Sequence, residues 1–114
     1  MTASDDPLRL LFVTAPEQDA EALVTTLVSE RLIACGNIVP GVRAVYRWKG
    51  EVCRETEAAL WLETTESSLS AAMDRIVELH PYDTPKVVAL APDAVNRGYL
   101  AWAQDNTGGR ATDR

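Results

Sequence analysis

The spacing of apolar residues changes several times along this chain, and each change marks a new element of secondary structure. Residues 9–14 are an apolar run of strand formers closed by Ala15 and Pro16, which predicts a mostly buried strand. Apolar residues then recur every three or four positions, which predicts a helix over residues 16–32. They are Ala20, Leu23, Val24, Leu27, Val28 and Leu32.

Two long strands joined by a tight turn are predicted in the middle of the chain. They span residues 34–48 and 52–64, with a glycine-containing turn at residues 49–50. Pro40 and Gly41 cannot belong to a regular central ladder, so they mark a bend, a bulge or an edge. Beyond them the side chains alternate with a period of two. One face carries Val42, Ala44, Tyr46 and Trp48, and the other carries Arg43, Val45 and Arg47.

The turn also predicts which residues of this hairpin face each other. If it is a two-residue loop, the numbers of facing residues sum to 99, so Cys53 faces Tyr46 and Cys35 faces position 64. The two cysteines then lie far apart along the hairpin, which disfavours an intrachain disulfide. We expect two free thiols.

The rest of the chain predicts a second helix, a fourth strand and a short final helix. Pro81 ends the second helix, which spans residues 66–80. The fourth strand covers residues 86–91, and the aromatic segment at 99–102 forms the last helix. Apolar positions of the second helix, at helical spacing, are Leu69, Ala72, Met73, Ile76 and Val77.

The resulting order is βαββαβ with a C-terminal helix, which predicts an α+β fold of the ferredoxin-like class. In this fold an antiparallel sheet carries two helices on one face. The 114-residue chain has room for one domain, which we place at residues 8–106. Residues 1–7 are predicted to be a flexible segment, and residues 107–114 a disordered tail.

The hairpin is too long to be covered by this chain alone. Its strands greatly exceed the usual length of about five or six residues. We assign Tyr46, Trp48 and Trp61 to the outer halves of these strands, where no helix of the chain reaches them. An uncovered aromatic ribbon invites pairing with another chain, so we predict that these three residues lie in a subunit interface.

Composition and charge exclude several classes of function. The formal net charge is −6, with 17 acidic against 11 basic residues, and no basic patch suits nucleic acid. No apolar run approaches the roughly 20 residues that cross a bilayer, so we expect no membrane partner. The N-terminus lacks the charged and apolar parts of a secretory signal, which predicts a cytoplasmic protein.

The chain carries the following motifs, in this order: Glu30–Cys35, Asn37–Gly41, Tyr46–Gly50, Glu57, Thr64–Thr65, His80–Tyr82 and Tyr99–Trp102. Together, over residues 8–104, they resemble the CutA1 family of divalent-cation tolerance proteins. The resemblance implies a homotrimer whose hairpins interlock around a three-fold axis. It also implies a link to copper and other divalent cations, a likeness to the trimeric PII proteins with their intersubunit ligand clefts, and no agreed catalytic activity.

Cys35 and His80 are the positions that the resemblance assigns as metal ligands. A thiolate and an imidazole suit copper or zinc, but two ligands do not complete a tight site. Carboxylates, water or neighbouring subunits would have to supply the others, and no further cofactor is required. The alternative for Cys35 is a buried small hydrophobic residue. The alternative for His80 is an interaction with the last carbonyls of its helix.

Tyr82, Asp83 and Lys86 are candidates for lining a cleft beside His80. Tyr82 and Asp83 could orient a ring nitrogen of His80, or could belong to the turn around the neighbouring prolines. Lys86 stands where the family commonly has a glutamate, which removes a carboxylate ligand and adds a cation.

Two other functions compete with metal binding. Arg43, Arg47 and Lys86 could bind an anionic ligand in a PII-like sensor, or could be solvated charges or form ion pairs between subunits. An enzyme could use Cys35 as nucleophile and His80 as base, but the pair would need hydrogen-bond contact. Recognised phosphate-loop and hydrolase motifs are absent from the sequence, so we predict a non-enzymatic protein.

Two further positions depart from the family pattern. Gly36 replaces the larger side chain common after Cys35, which predicts a looser strand. Cys53 matches no motif of the family and inherits no role.

Overall fold

The computed structural model describes residues 5–108 and confirms the predicted α+β, ferredoxin-like fold. Four antiparallel strands form one sheet in the order β2-β3-β1-β4. Within the described residues no helix is long and apolar enough to span a membrane. The strands are β1 (Leu8–Ala15), β2 (Cys35–Trp48), β3 (Glu51–Thr65) and β4 (Val87–Leu90), and the helices are α1 (Glu17–Ser29), α2 (Glu66–Leu79) and α3 (Arg97–Asp105).

Helices α1 and α2 cover one face of the sheet, as the sequence predicted. Alternate side chains of β1 and β3 point into this layer, where complete burial of one aliphatic side chain contributes about 1.5–3 kcal/mol. Helix α1 ends at Ser29, three residues before the predicted end, because Arg31 adopts a left-handed conformation with φ of 63°. The core includes Leu11, Val13, Leu23, Val24, Leu27, Leu60, Leu62, Ala72 and Ile76.

Gly36 of β2 lies directly beneath Val24 of α1. A Cβ atom at this position would lie 2.6 Å from Cγ1 of Val24 and 2.9 Å from Cδ2 of Leu62. Both distances are shorter than normal carbon contacts, so a side chain cannot fit without displacing its neighbours. The expectation that Gly36 loosens the strand was therefore wrong, since this glycine permits tight packing of the helix on the sheet.

The register of the β2–β3 hairpin agrees with the prediction only in its outer part. Tyr46 faces Cys53 as predicted, whereas Cys35 faces Glu63 rather than position 64. Counting from the turn assumes an uninterrupted ladder, and the ladder is interrupted between these two pairs.

The interruption is a bulge between Val39 and Val42, at the predicted Pro40 and Gly41. Gly41 has φ of 73°, a conformation that glycine adopts without steric strain. Its backbone N–H donates a hydrogen bond to the carboxylate of Glu17 at the start of α1. The first turn of α1 therefore anchors the bulge.

The part of the hairpin beyond the bulge, residues 42–57, projects from the sheet and is called the ribbon below. Strand β1 pairs with β3 only as far as Ala58, so the ribbon consists of two strands alone. Seven residues in each strand, at a rise of about 3.3 Å, give it a length of about 23 Å. Tyr46 and Trp48 on the ribbon are 38% and 43% exposed, so this chain leaves them uncovered, as predicted.

Trp61 does not belong to the outer half of the hairpin, and its placement there was wrong. It pairs with Phe12 in the four-stranded part of the sheet, and the centroids of the two rings are 4.7 Å apart. Its side chain lies on the sheet face opposite α1 and α2, called the open face below. Trp61 is exposed there, together with Val88 and Leu90 of β4.

Helix α3 covers one end of the open face, and the folded domain continues past it. Thr107 is buried, and its hydroxyl donates to the carbonyl of Ala103 at 2.9 Å. The N–H of Gly108 donates to the carbonyl of Arg31 at 2.7 Å. Residues 107 and 108 of the predicted tail therefore contact the folded domain, and its residues 109–114 lie outside the described part of the chain.

Asp6, which precedes the predicted start of the domain, also contacts the folded part of the chain. The carboxylate of Asp6 accepts hydrogen bonds from the backbone N–H and the hydroxyl of Ser67, both at 2.8 Å. Asp6 thus caps the N-terminus of α2 from a distant part of the chain. The ordered contacts begin inside the segment that was predicted to be flexible, and residues 1–4 lie outside the described range.

Candidate functional site

His80 ends α2, and its ring is buried and bonded at both nitrogens. Nε2 lies 2.8 Å from the carbonyl oxygen of Thr14, and Nδ1 accepts the backbone N–H of Tyr82 at 3.2 Å. Only the neutral ring with its proton on Nε2 satisfies both contacts. A metal ion could bind His80 only if one of these hydrogen bonds broke. The predicted contact with the last helix carbonyls is replaced by this bond to β1.

Cys35 lies at the other end of the sheet, beside a carboxylate and a phenol. It faces Glu63 across the strands, and the hydroxyl of Tyr99 donates to Glu63. Burial and the bond to Glu63, with a smaller effect of Cys35, raise the pKa of Tyr99. The sequence did not predict this cluster, because the bulge shifts the residue facing Cys35 by one.

The two predicted metal ligands do not meet within one chain. Thr14, which bonds His80, pairs with Ala59, whereas Cys35 pairs with Glu63. These two positions of β3 are four residues apart, or about 13 Å at the rise of a strand. Across residues 5–108, no group of three or more His, Cys, Asp or Glu side chains is arranged to hold a metal ion. Both cysteines are free, as predicted.

A buried carboxylate lies at the base of the ribbon. Glu57 is only 4% exposed, and the hydroxyl of Tyr82 donates to it at 2.6 Å. Glu55 lies 3.5 Å from the same hydroxyl, and the ring of Tyr82 packs against that of His80. Burial, followed by the hydrogen bond to Glu57, raises the pKa of Tyr82. The sequence named Glu57 as part of a motif but assigned it no role.

The other cleft candidates have different neighbours. The ammonium group of Lys86 lies 5.1 Å from the centroid of the Phe12 ring, a cation–π contact. Asp83 is exposed on the loop before β4. Tyr82 therefore contacts Glu57 and His80, whereas Lys86 contacts Phe12 on β1.

The arginines proposed for an anionic ligand lie on the ribbon, away from the Lys86–Phe12 contact. Arg43 and Arg54 line an open hollow together with Val45 and Thr56. Arg47 lies further along the same face, closer to the turn.

Comparison with known proteins shows which family has this sequence and fold. The family model of the CutA1 divalent ion tolerance proteins matches residues 9–106. The chain belongs to the CutA1 family. The resemblance inferred from the sequence motifs is thereby confirmed.

Individual members of the CutA1 family align with most of this chain. The divalent-cation tolerance protein CutA of Thermus thermophilus is 42% identical over 100 residues, which are 87% of this chain and 97% of that protein. The crystal structure of CutA1 from Oryza sativa has a TM-score of 0.87 at 37% identity, covering 91% of this chain and 96% of that one. The PII-like protein CutA from Nostoc sp. PCC 7120, in apo form, has a TM-score of 0.84 at 33% identity, covering 88% and 97%.

Proposed function

We propose that this CutA1 family member acts as a non-enzymatic homotrimer in tolerance of divalent cations. The observation that carries the proposal is the uncovered ribbon with Tyr46 and Trp48. A two-stranded ribbon is at best marginally stable alone, so a length of about 23 Å needs a covering partner. Trp61 extends the uncovered apolar surface over the open face. The number of three subunits follows from the family resemblance.

The two cysteines support the non-enzymatic role and the cytoplasmic location that we propose. Within one chain His80 cannot serve as base for Cys35, which supports a role without catalysis. Free thiols at Cys35 and Cys53 suit the reducing cytoplasm, where we place the protein.

We also propose that copper binds to the assembled trimer at Cys35. The thiolate is the softest ligand in the chain and prefers copper to magnesium or calcium. Glu63 lies next to it, and neighbouring copies would complete the coordination. His80 is the weaker candidate, because its ring nitrogens already bond Thr14 and Tyr82.

Light scattering and copper calorimetry on the purified protein test these proposals. We expect a trimer at micromolar concentration, and copper affinity that Cys35→Ser lowers at least tenfold. Cys53→Ser is the matched control and should bind copper like the wild type. A stable monomer contradicts the proposed assembly, and unchanged copper binding by Cys35→Ser contradicts the proposed metal site. Loss of copper only in His80→Gln, with the trimer intact, would transfer the ligand role to His80.

A PII-like sensor is the second candidate. Its support is the likeness to the Nostoc protein and the Glu57–Tyr82 pair, a buried polar group at the base of the ribbon. Thermal-shift measurements in the absence of metal, with a panel of small charged metabolites, distinguish the two functions. Stabilisation by a metabolite in metal-free buffer, lost in Glu57→Gln, would favour the sensor.

A further inference from the structure

Helix α3 has less buried surface than the other two helices. Ala103 is the single buried residue among its nine, whereas α1 has four buried residues and α2 has three. Tyr99 and Leu100 of α3 pack against a small apolar cluster around Leu8 and Ala34. Elements with few buried apolar contacts open at a lower free energy than the core of a domain. Helix α3 therefore needs the least free energy to detach from the sheet.

Helix α3 covers the end of the open face where Cys35 lies. Cys35 is partly exposed and faces Glu63 across the strands, and the phenol of Tyr99 donates a hydrogen bond to that carboxylate. The pKa of Tyr99 is raised by burial, by this bond and, to a smaller extent, by Cys35, so the thiol lies beside the phenol. Detachment of α3 would remove the phenol from both the thiol and the carboxylate.

Arg31 ties the end of α3 to the end of α1. Its guanidinium group donates to the carbonyl of Asp105 at 2.7 Å and to that of Gly108 at 2.9 Å. The carbonyl of Arg31 in turn accepts the N–H of Gly108 at 2.7 Å. Gln104 of α3 adds a bond to the carbonyl of Asp6 at 2.9 Å. Arg31 thus makes three hydrogen bonds to the segment that ends α3.

Arg31 makes these bonds from an unfavourable backbone conformation. Its φ of 63° lies in the left-handed region, which costs a non-glycine residue steric strain. Glycine would adopt the same conformation without this cost. A strained residue that makes three bonds to one segment indicates that its side chain is needed at this position.

The opposite end of α3 is attached by an exposed connection. Residues 91–96 join β4 to α3, and Ala91, Asp93, Ala94 and Asn96 are exposed. Asn96, which precedes the first turn, makes no side-chain hydrogen bond that caps the helix. A short exposed segment of this kind can absorb the change in backbone angles when a helix swings away.

We infer that α3 is a lid over Cys35, latched by Arg31 and hinged at residues 91–96, and that opening of the lid controls the access of soft metal ions to the thiol. The inference rests on the proposed copper site at Cys35 and describes how that site is regulated. While the lid is closed, Tyr99 holds the carboxylate of Glu63. When the lid opens, the thiol and the carboxylate become accessible together as ligands.

Alkylation by iodoacetamide measures how often the lid opens. Cys53→Ser serves as the parent chain, because Cys35 is then the only thiol. Arg31→Gly removes the guanidinium group and keeps the left-handed turn without strain. We expect this variant to react at least about fivefold faster than the parent, because two hydrogen bonds that keep the lid closed are lost. An equal rate in the two chains overturns the lid.

Two further comparisons test the latch. Truncation after Asn106 removes Gly108 and should also accelerate alkylation, whereas truncation after Gly108 keeps the latch and should not. Arg75→Ala is the matched arginine control, since it breaks the ion pairs with Glu30 and Glu78, which lie outside α3. We expect Arg75→Ala to react like the parent. An acceleration as large as that of Arg31→Gly would overturn the assignment of the latch.

Urea separates lid opening from unfolding of the whole domain. The dependence of a free energy on urea increases with the surface that the transition exposes. Opening of a nine-residue helix exposes much less surface than unfolding of the domain, so alkylation should accelerate far less steeply with urea than unfolding does. Backbone amides should likewise exchange faster in α3 than in α1. Equal urea dependence and equal exchange overturn the lid, because the thiol then reacts only in the unfolded chain.

Copper binding tests the proposed function separately from the lid. If Arg31→Gly accelerates alkylation but calorimetry detects no copper binding, the lid stands and the proposed copper site fails. If copper binds at Cys35 but Arg31→Gly changes neither the alkylation rate nor the rate of copper association, the lid is overturned and the copper site stands. If both proposals hold, stopped-flow mixing should show faster copper association with Arg31→Gly than with the parent chain.

Discussion

The phenol of Tyr82 donates a 2.6 Å hydrogen bond to the buried carboxylate of Glu57 and thereby joins the loop after α2 to the base of the ribbon. The same loop is held to β1 by the ring of His80. Strand β3, through Glu57, and strand β1, through Thr14, thus both position the loop after α2. Removal of the Tyr82–Glu57 bond should therefore also weaken the His80–Thr14 bond, and the reverse should hold.

Replacing Tyr82 by Phe should destabilise the protein, because it removes the hydroxyl that donates to the buried Glu57. An unsatisfied buried polar group costs about 1–3 kcal/mol. Urea unfolding monitored by circular dichroism measures the change. Ser70→Ala, which removes an exposed hydroxyl from α2, is the control, and we expect a change below about 0.5 kcal/mol. Equal effects of the two variants would show that the bond to Glu57 is not stabilising.

The raised pKa of Tyr82 predicts a loss of stability in alkali. The unfolded phenol titrates near 10.0, and burial with the bond to Glu57 keeps the folded phenol protonated to a higher pH. The stabilisation is therefore complete below pH 10 and decreases as the pH rises further. Chemical denaturation between pH 8 and pH 11 measures this slope. Tyr82→Phe should flatten it, while an unchanged slope would assign the alkaline loss to other groups such as Tyr99.

Gly36→Ala should destabilise the core, because the new methyl group would lie 2.6 Å from Val24. Overpacking of this kind typically costs about 1–3 kcal/mol. The double variant with Val24→Ala should recover part of the loss, since it removes the nearest atoms. Gly98→Ala, in a helix where a methyl group meets no atom within 4 Å, should be neutral or stabilising. Comparable destabilisation at both glycines would show that crowding is not the cause.

Truncation after Asn106 should be more damaging than truncation after Gly108. The shorter chain loses the buried Thr107, whose hydroxyl bonds Ala103, and the hydrogen bond from Gly108 to Arg31. It also loses the bond from the Arg31 guanidinium to the carbonyl of Gly108 and the contact between the hydroxyls of Thr107 and Thr65. Each hydrogen bond contributes about 0.5–1.5 kcal/mol, so we expect a loss of more than about 1 kcal/mol. Thermal and urea unfolding of the two truncated chains give the difference. Equal stability would support the predicted boundary at residue 107.

The sequence was sufficient to predict the helices and strands and to predict which ribbon side chains share a face, because both follow from local periodicity. The sequence was not sufficient to predict contacts between segments that are distant along the chain. His80 bonds Thr14, which lies 66 residues earlier in the sequence, and no local sequence pattern indicates that contact. Cys35 lies beside the Tyr99–Glu63 pair only because the bulge has shifted the register of β2 against β3. The effect of Gly36 was predicted wrongly for the same reason, since its neighbour Val24 belongs to helix α1.

The bulge at Pro40 and Gly41 has a consequence for insertions and deletions. On the sheet side of it, odd-numbered residues of β2 such as Cys35 face away from α1, and beyond it even-numbered residues such as Tyr46 do. Two residues of β2, Pro40 and Gly41, lie opposite the single residue Ala58 of β3. Deleting one of the two would join both halves into one regular ladder, in which Cys35 and Tyr46 keep their present partners and faces. The deletion would remove the local bend, and deleting Gly41 would also remove its hydrogen bond to Glu17. The extra residue therefore sets the bend of the hairpin and its attachment to α1.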